Sequence, residues 1–203
     1  METPILFYSP SSPYARKVLV HMHELGIVDQ YQMEAVNPLK DSERIRAHNP
    51  LGKIPALVSE EGELIADSRT ICYFLVESEL GREAAYTSSK YRTFEAICDG
   101  VMDSAFSYVM ETMRQEAEQS EFWKQRWIDS IENALNYLED NMEHFTNQAD
   151  CSFREVALGC ALGYLDFRLI DLPWRGSRKK LASWFVEFSQ RPSMKATKPA
   201  NLT

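Results

Sequence analysis

The chain opens on a short apolar run, Ile5-Leu6-Phe7-Tyr8, that gives way at once to Ser9-Pro10-Ser11-Ser12-Pro13 and then to apolar residues at helical spacing. No other feature constrains the fold as tightly. Contiguous apolar residues bounded by turn formers read as a buried strand, and Pro13 suits the first position of a helix, where its missing N–H costs nothing. Val18, Leu19, Met22 and Leu25 supply the apolar face of that helix, and Gly26 is placed to end it. Tyr31-Gln32-Met33-Glu34-Ala35 then alternates apolar and polar residues, as a half-buried strand does. Strand, helix and strand in this order predict a parallel pair joined by a crossover.

The pattern continues with a polar segment, Asp41 to Asn49, that reads as a short helix. Ile54-Pro55-Ala56-Leu57-Val58 and Glu63-Leu64-Ile65 flank the turn Ser59-Glu60-Glu61-Gly62 and predict a hairpin. Asp67-Ser68 caps a helix with Ile71, Phe74, Leu75 and Ser78 on its face, ending near Gly81. Beyond residue 82 the strand signals stop. Tyr91, Phe94, Ile97, Cys98, Val101, Met102 and Ala105 mark one long amphipathic helix, and the series from Ile128 through Ile131, Leu135, Leu138 and Met142 to Phe145 marks another. After a loop from Asn147 to Cys151, Ser152-Phe153-Arg154-Glu155 has the form of a capping box, and Leu181, Trp184, Phe185 and Phe188 form a last helix before Arg191-Pro192. The 203 residues therefore divide into an α/β domain of order β-α-β-α-β-β-α over 1–81 and an all-helical domain over 82–203.

Thirty acidic residues against 22 basic ones give a net charge of −8. Tracking a nucleic-acid backbone needs clustered Lys and Arg, so this balance argues against nucleic acid as a partner while leaving room for a local basic pocket. Met1-Glu2-Thr3-Pro4 lacks the positive start of a secretory signal. No stretch approaches the roughly 18 apolar residues of a membrane span, so the expectation is a cytoplasmic protein without membrane contact. Cys72, Cys98, Cys151 and Cys160 contain no CxxC pair and read as buried small hydrophobes. His21 and His23, two apart on a helix, face different ways, and no metal is expected.

Three loops carry the residues with chemical potential. Ser9, Ser11 and Ser12 sit between a strand end and a helix start, where unpaired N–H groups and a partial positive charge favour a nearby anion. A serine hydroxyl there can donate to a thiolate and favour its ionised form; without a nearby His-Asp pair it is a poor nucleophile. The plain alternative is helix capping. At Ile54-Pro55, a cis bond would turn the Ile54 N–H and C=O outward to pair with an extended peptide, whereas a trans proline at a strand start is the commoner arrangement. Asp67 and Ser68 can accept from an amine and hold a carboxylate, or can simply cap their helix. Lys40 and Lys53 are cations close by in sequence, with solvated surface charge as the default. Together these loops offer sites for a thiolate, a peptide backbone and an amino-acid head group at one end of a small α/β domain. A γ-glutamyl-cysteinyl peptide would use all three.

Over essentially its whole length the chain resembles the soluble glutathione S-transferases. The resemblance rests on Tyr8-Ser9-Pro10-Ser11-Ser12-Pro13-Tyr14-Ala15-Arg16-Lys17-Val18, on Asn49-Pro50-Leu51-Gly52-Lys53-Ile54-Pro55-Ala56-Leu57, on Asp67-Ser68, and in the helical half on Ser152-Phe153-Arg154-Glu155 and Arg191-Pro192-Ser193. It implies a thioredoxin-like domain followed by a helical bundle, with glutathione as co-substrate. It implies that Ser12, directly before Pro13, meets the sulfur, with Ser11 and then Ser9 as the other choices. It implies that Ile54 bonds the cysteinyl backbone beside a cis Pro55, that Asp67 and Ser68 hold the γ-glutamyl end, and that Lys40 and Lys53 reach the glycyl carboxylate or solvent. Tyr14, Met102, Tyr108 and Trp174 are candidates for the lining of a hydrophobic-substrate pocket, with core packing as the competing reading for each. The absence of a loop cysteine speaks against omega-like thiol exchange, and Pro13 after Ser11-Ser12 departs from the Ser-Ser-Cys of zeta-like isomerases.

The resemblance thus implies a homodimeric enzyme that ionises glutathione and directs its sulfur at a small hydrophobic electrophile. Glutathione-dependent peroxidase or isomerase chemistry would share the thiolate site. A binding protein that has kept the fold and lost the activity, as stringent-starvation proteins and elongation-factor modules have, is the rival. Against it, Ser12, Pro55, Asp67 and Ser68 are all present.

Overall fold

The computed structural model describes residues 3–81, 88–147 and 152–201; Cys151 and the end of its predicted loop lie outside them. The chain forms two compact units, Met1–Ala85 with Pro192–Thr203, and Tyr86–Arg191. The segment from Pro192, read from sequence as the end of the helical half, packs with the first unit instead.

In the first unit β1 (Ile5–Tyr8) is central. It pairs in parallel with β2 (Gln32–Ala35) and antiparallel with β3 (Ala56–Val58), which pairs antiparallel with β4 (Leu64–Ile65). Both faces of β1 are covered, which is why it reads as an unbroken apolar run. Phe7 packs with Val36, Ile45 and Ala56, while its neighbour Leu6, on the opposite face, is fully buried.

The crossover helix α1 (Pro13–Leu25) begins at Ser12, whose side chain accepts the Ala15 N–H, and ends at Gly26 with φ of 72°. Left-handed backbone at that position favours glycine, as the sequence pattern anticipated. Burial on α1 is wider than the apolar face: Arg16, Lys17 and His21 are buried beside Val18, Val20 and Met22. The short helix α2 (Ser42–Arg46) is briefer than the polar segment that predicts it. The helix α3 (Ser68–Leu80) is capped by Asp67, whose carboxylate accepts the Arg69 and Thr70 N–H groups.

In the second unit α4 (Ser89–Thr112) and α5 (Glu121–Asp140) pack against one another, and α4 packs on α6 (Phe153–Arg168). The apolar series from Ile128 outlasts its helix. The helix stops at Asp140, and Met142–His144 continue as a 3-10 turn that leaves Phe145 outside. The S-x-x-E signature at Ser152 marks the start of α6, but its reciprocal bonds are not made. The Ser152 side chain makes no cap bond, and the Glu155 carboxylate accepts the Thr146 N–H and the Arg154 guanidinium instead. The helix α7 (Lys179–Phe188) buries Leu181, Trp184, Phe185 and Phe188 as its spacing requires, and α8 (Pro192–Ala196) returns the chain to the first unit. Among the described residues no helix is long and apolar enough to cross a membrane.

His21 carries the clearest pH signature of the fold. Burial, reinforced by the charge of Lys17 and only partly opposed by Glu24, lowers its pKa from 6.5 to about 3. The folded state therefore keeps the imidazole neutral where the unfolded chain takes up a proton. The stabilisation is complete above pH 6.5 and is lost as pH falls from there toward about 3. Urea titrations at a series of pH values should show His21→Gln losing about 2–3 kcal/mol less stability than wild type between neutral pH and about pH 4. An unchanged acid limb would remove His21 as its cause.

Candidate functional site

Strand direction sends the three candidate loops to one end of the sheet. Ile5, Leu6 and Phe7 face Val58, Leu57 and Ala56 in an antiparallel pair, so the serine loop leaves β1 at the same end of the sheet at which Ile54–Pro55 enters β3. Leu57 faces Ile65 and Val58 faces Leu64, so β4 leaves the sheet toward Asp67 and α3 at that same end. The serine loop, the Ile54–Pro55 bond and the start of α3 thus lie past the same end of the sheet. β2 runs parallel to β1, with Tyr8 opposite Ala35, so the turn carrying Lys40 leaves the sheet at this same end.

Within the first loop the serines divide their work. Ser9 is buried, and its hydroxyl lies 3.1 Å from that of Ser11. The Ser9 carbonyl accepts the Ser12 N–H at 3.0 Å, closing the turn. Ser12 Oγ accepts the Ala15 N–H at 3.2 Å and is half-buried. A hydroxyl that accepts as a helix cap still has its own proton to donate. The cap therefore leaves the Ser12 hydroxyl proton uncommitted. Ser12 caps α1, and it presents an O–H donor at the helix end where backbone partial charges favour an anion.

The Ile54–Pro55 peptide bond is cis. This is the arrangement that the family resemblance implies and that proline statistics alone disfavour. The Ile54 side chain packs against the cluster of Phe7, Val36, Ile45 and Ala56, so the apolar part of the residue is committed to the sheet core. What it can offer a ligand is its backbone. Lys53, just before it, is exposed, as is Lys40.

One residue without an assigned role holds this loop. Asn49 is buried; its amide donates to the Lys53 carbonyl at 2.8 Å, and its side-chain oxygen accepts the Leu51 N–H at 3.0 Å. It bridges the loop that delivers Ile54. Gly52 sits in the same loop with φ of 61°, and a Cβ there would come to 3.4 Å from the Arg46 side chain. The Asn-Pro-Leu-Gly string marks a turn, but nothing in it distinguishes a buried bridging amide from an exposed turn asparagine.

Asp67 is exposed and Ser68 is buried. One oxygen of the Asp67 carboxylate accepts both the Arg69 N–H, at 3.1 Å, and the Thr70 N–H, at 3.3 Å. An ionised carboxylate has about four lone-pair sites, so this cap leaves acceptor capacity for a cationic group.

The candidates for a hydrophobic-substrate lining fare differently. Met102 is fully buried within α4, and Trp174 is 1% exposed. The Trp174 indole donates to Asp166 at 2.9 Å, carries the Arg175 guanidinium on its face, and meets Phe185 edge to face. Both are packed in the second unit, the reading that competes with a ligand contact for each. Tyr14 and Tyr108 are half-buried and keep exposed surface. Cys72, Cys98 and Cys160 are buried and outside any disulfide, and among the described residues no group of three or more His, Cys, Asp or Glu forms a metal-sized cluster.

Residues 11–78 match the family described as Glutathione S-transferase, N-terminal domain. The chain is 32% identical to the uncharacterized GST-like protein YibF of Escherichia coli K12, covering 94% of this chain and 96% of that one. It is similar to a crystal structure of a glutathione transferase family member from Pseudomonas fluorescens Pf-5 with bound glutathione, with a TM-score of 0.90, 36% identity, and 97% and 99% of the two chains covered. It is similar also to a glutathione S-transferase of Methylobacillus flagellatus KT with glutathione bound, with a TM-score of 0.87, 34% identity, and 97% and 100% covered.

The Asn49 bridge yields a direct test. Asn49→Ala leaves the part-buried Leu51 N–H and Lys53 carbonyl without their partner and should cost about 0.5–1.5 kcal/mol in chemical denaturation. A loss within the error of wild type would show that water replaces the amide without cost.

Proposed function

The chain belongs to the soluble glutathione S-transferase family, and from that premise we propose that it binds glutathione and stabilises its thiolate for attack on a hydrophobic electrophile. The observation that carries this reading is the strand pairing that sends the serine loop, the cis Ile54–Pro55 bond and the capped start of α3 to one end of the sheet. Glutathione bound in the Pseudomonas and Methylobacillus relatives supports it.

In this reading the peptide lies along the end of the sheet. Its cysteinyl backbone pairs with the N–H and C=O of Ile54, whose side chain is anchored in the core. The γ-glutamyl ammonium meets the spare acceptor capacity of Asp67, and its carboxylate meets Ser68 at the start of α3. Lys40 and Lys53 attract the glycyl carboxylate. The sulfur lies at the start of α1, where Ser12 donates its hydroxyl. Of the three serines Ser12 suits this best, because the hydroxyls of Ser9 and Ser11 lie against each other.

The chemistry is ionisation followed by displacement or addition. A thiol of ordinary pKa, about 8.5, is mostly protonated at neutral pH, and each unit of lowering requires about 1.4 kcal/mol of differential stabilisation. The thiol proton leaves to solvent. The sulfur lone pair then forms a C–S bond to the electrophilic carbon, and the leaving group departs with the displaced electron pair. The same reading expects a homodimer in the cytoplasm.

Retention on immobilised glutathione and conjugation of chlorodinitrobenzene should both be seen. Losing a hydroxyl that donates to a charged sulfur should cost Ser12→Ala about 10- to 100-fold in turnover. Losing the cap should cost about 1 kcal/mol of stability. Full activity in Ser12→Ala would move the role to Ser11 or Ser9. A folded wild-type protein that neither binds nor conjugates would favour the rival binding protein. A product screen over halides, epoxides, peroxides and cis-trans diacids would separate transferase from peroxidase and isomerase chemistry.

A further inference from the structure

The C-terminal segment returns to the first unit and bonds the loop that carries the candidate serines. Ala200 N–H donates to the Pro10 carbonyl at 3.3 Å. Further back, the buried Arg16 guanidinium donates to the Met194 carbonyl at 3.0 Å and to Thr197 Oγ at 3.4 Å. Thr197 in turn donates to the Ser193 carbonyl at 2.8 Å, and the Ser193 hydroxyl donates to Glu24 in the last turn of α1. The segment is therefore fixed to both ends of α1 and to the loop before it. A cavity of about 260 Å³ lies between the loop residues Tyr8, Ser9 and Ser12 and the tail residues Ala196 to Lys198.

We propose that residues 193–200 are a positioning element of the thiolate site, acting through Arg16, Thr197 and the Ala200 N–H to set the Ser9–Ser12 loop against the start of α1. This rests on the thiolate reading above. Pro10 lies two residues from Ser12, and prolines flank the intervening serines, so a hydrogen bond at the Pro10 carbonyl constrains a short, stiff loop. Arg16 lies one helical turn beyond Ser12, and its own N–H bonds the Ser12 carbonyl at 3.0 Å. Tail, first turn and serine thus share one connected set of hydrogen bonds. None of these tail residues touches the sulfur in this arrangement. They govern where the Ser12 hydroxyl points, and so how strongly it favours the thiolate over the thiol.

Ala200→Pro removes the N–H donor at an exposed position and changes nothing in the core. The readouts are the pH dependence of bound glutathione's thiolate absorbance, turnover at saturating glutathione, and the denaturation midpoint. With one positioning hydrogen bond lost, the thiolate fraction below the midpoint of its titration should fall about three- to ten-fold, and turnover should fall with it. KM for the electrophile and the denaturation midpoint should stay at wild-type values. Thr197→Val should lower the thiolate fraction alike, with a lower denaturation midpoint as well because it strips buried partners from Arg16 and Ser193, and Thr197→Ser should restore the wild-type titration. Arg16→Lys should fall between wild type and Ala200→Pro.

An Ala200→Pro protein whose bound thiol titrates as wild type does would overturn the positioning role while leaving the thiolate reading in place. A wild-type protein that binds glutathione without ionising it would overturn both. Loss of stability in Ala200→Pro with no change in the titration would make the tail a purely structural clamp, which also overturns the proposal.

Discussion

The antiparallel register of β3 on β1 is the constraint from which the rest of the site follows. It fixes which residue of the Ile54–Pro55 loop stands beside the end of β1, and the β3–β4 register then fixes where the chain enters α3. A strand slipped by one residue would turn Ala56 and Leu57 to the wrong faces and carry Pro55 away from the serine loop. The core enforces the register. Ala56 packs in one cluster with Phe7, and the fully buried Leu57 faces the other way with Leu6. Apolar packing therefore holds in line a set of polar groups that make few bonds to one another.

Much of this was legible in the sequence because each signal was local. Pro13 after a serine, Gly26 after the last apolar residue of α1, and Asp67 before α3 each act within one helical turn, and each behaves as its chemistry requires. The long-range features were not legible in the same way. A buried bridging amide at Asn49 and an exposed one share the same neighbours in sequence, and only the folded loop distinguishes them. Arg16 and Lys17 fall outside the predicted apolar face, yet both are buried. For Arg16 the reason is that oxygens from far along the chain, at Met194 and Thr197, satisfy its guanidinium.

Helical periodicity misled where it ran past the end of an element. Phe145 continues the spacing of α5, but the chain leaves the helix after Asp140, and Phe145 is buried from a non-helical position, edge to face with Phe94. Burial of an aromatic ring demands only a place in the core, and more than one backbone path can deliver it. Trp174 is packed in the same unit. A large aromatic in a helical half is as well suited to filling a core as to lining a pocket, and its bond to Asp166 shows how its one polar group is satisfied there.

The return of Pro192–Thr203 to the first unit has a consequence for synthesis. A chain leaving the ribosome exposes its α/β portion long before the oxygens that receive Arg16 have been translated. Until then α1 carries an interior cation without Met194 and Thr197, and the helical unit must be made before the first is complete. The two units are therefore not independent modules on a string, and the earlier one is finished last. A fragment ending at the apparent boundary near residue 81 lacks part of its own interior.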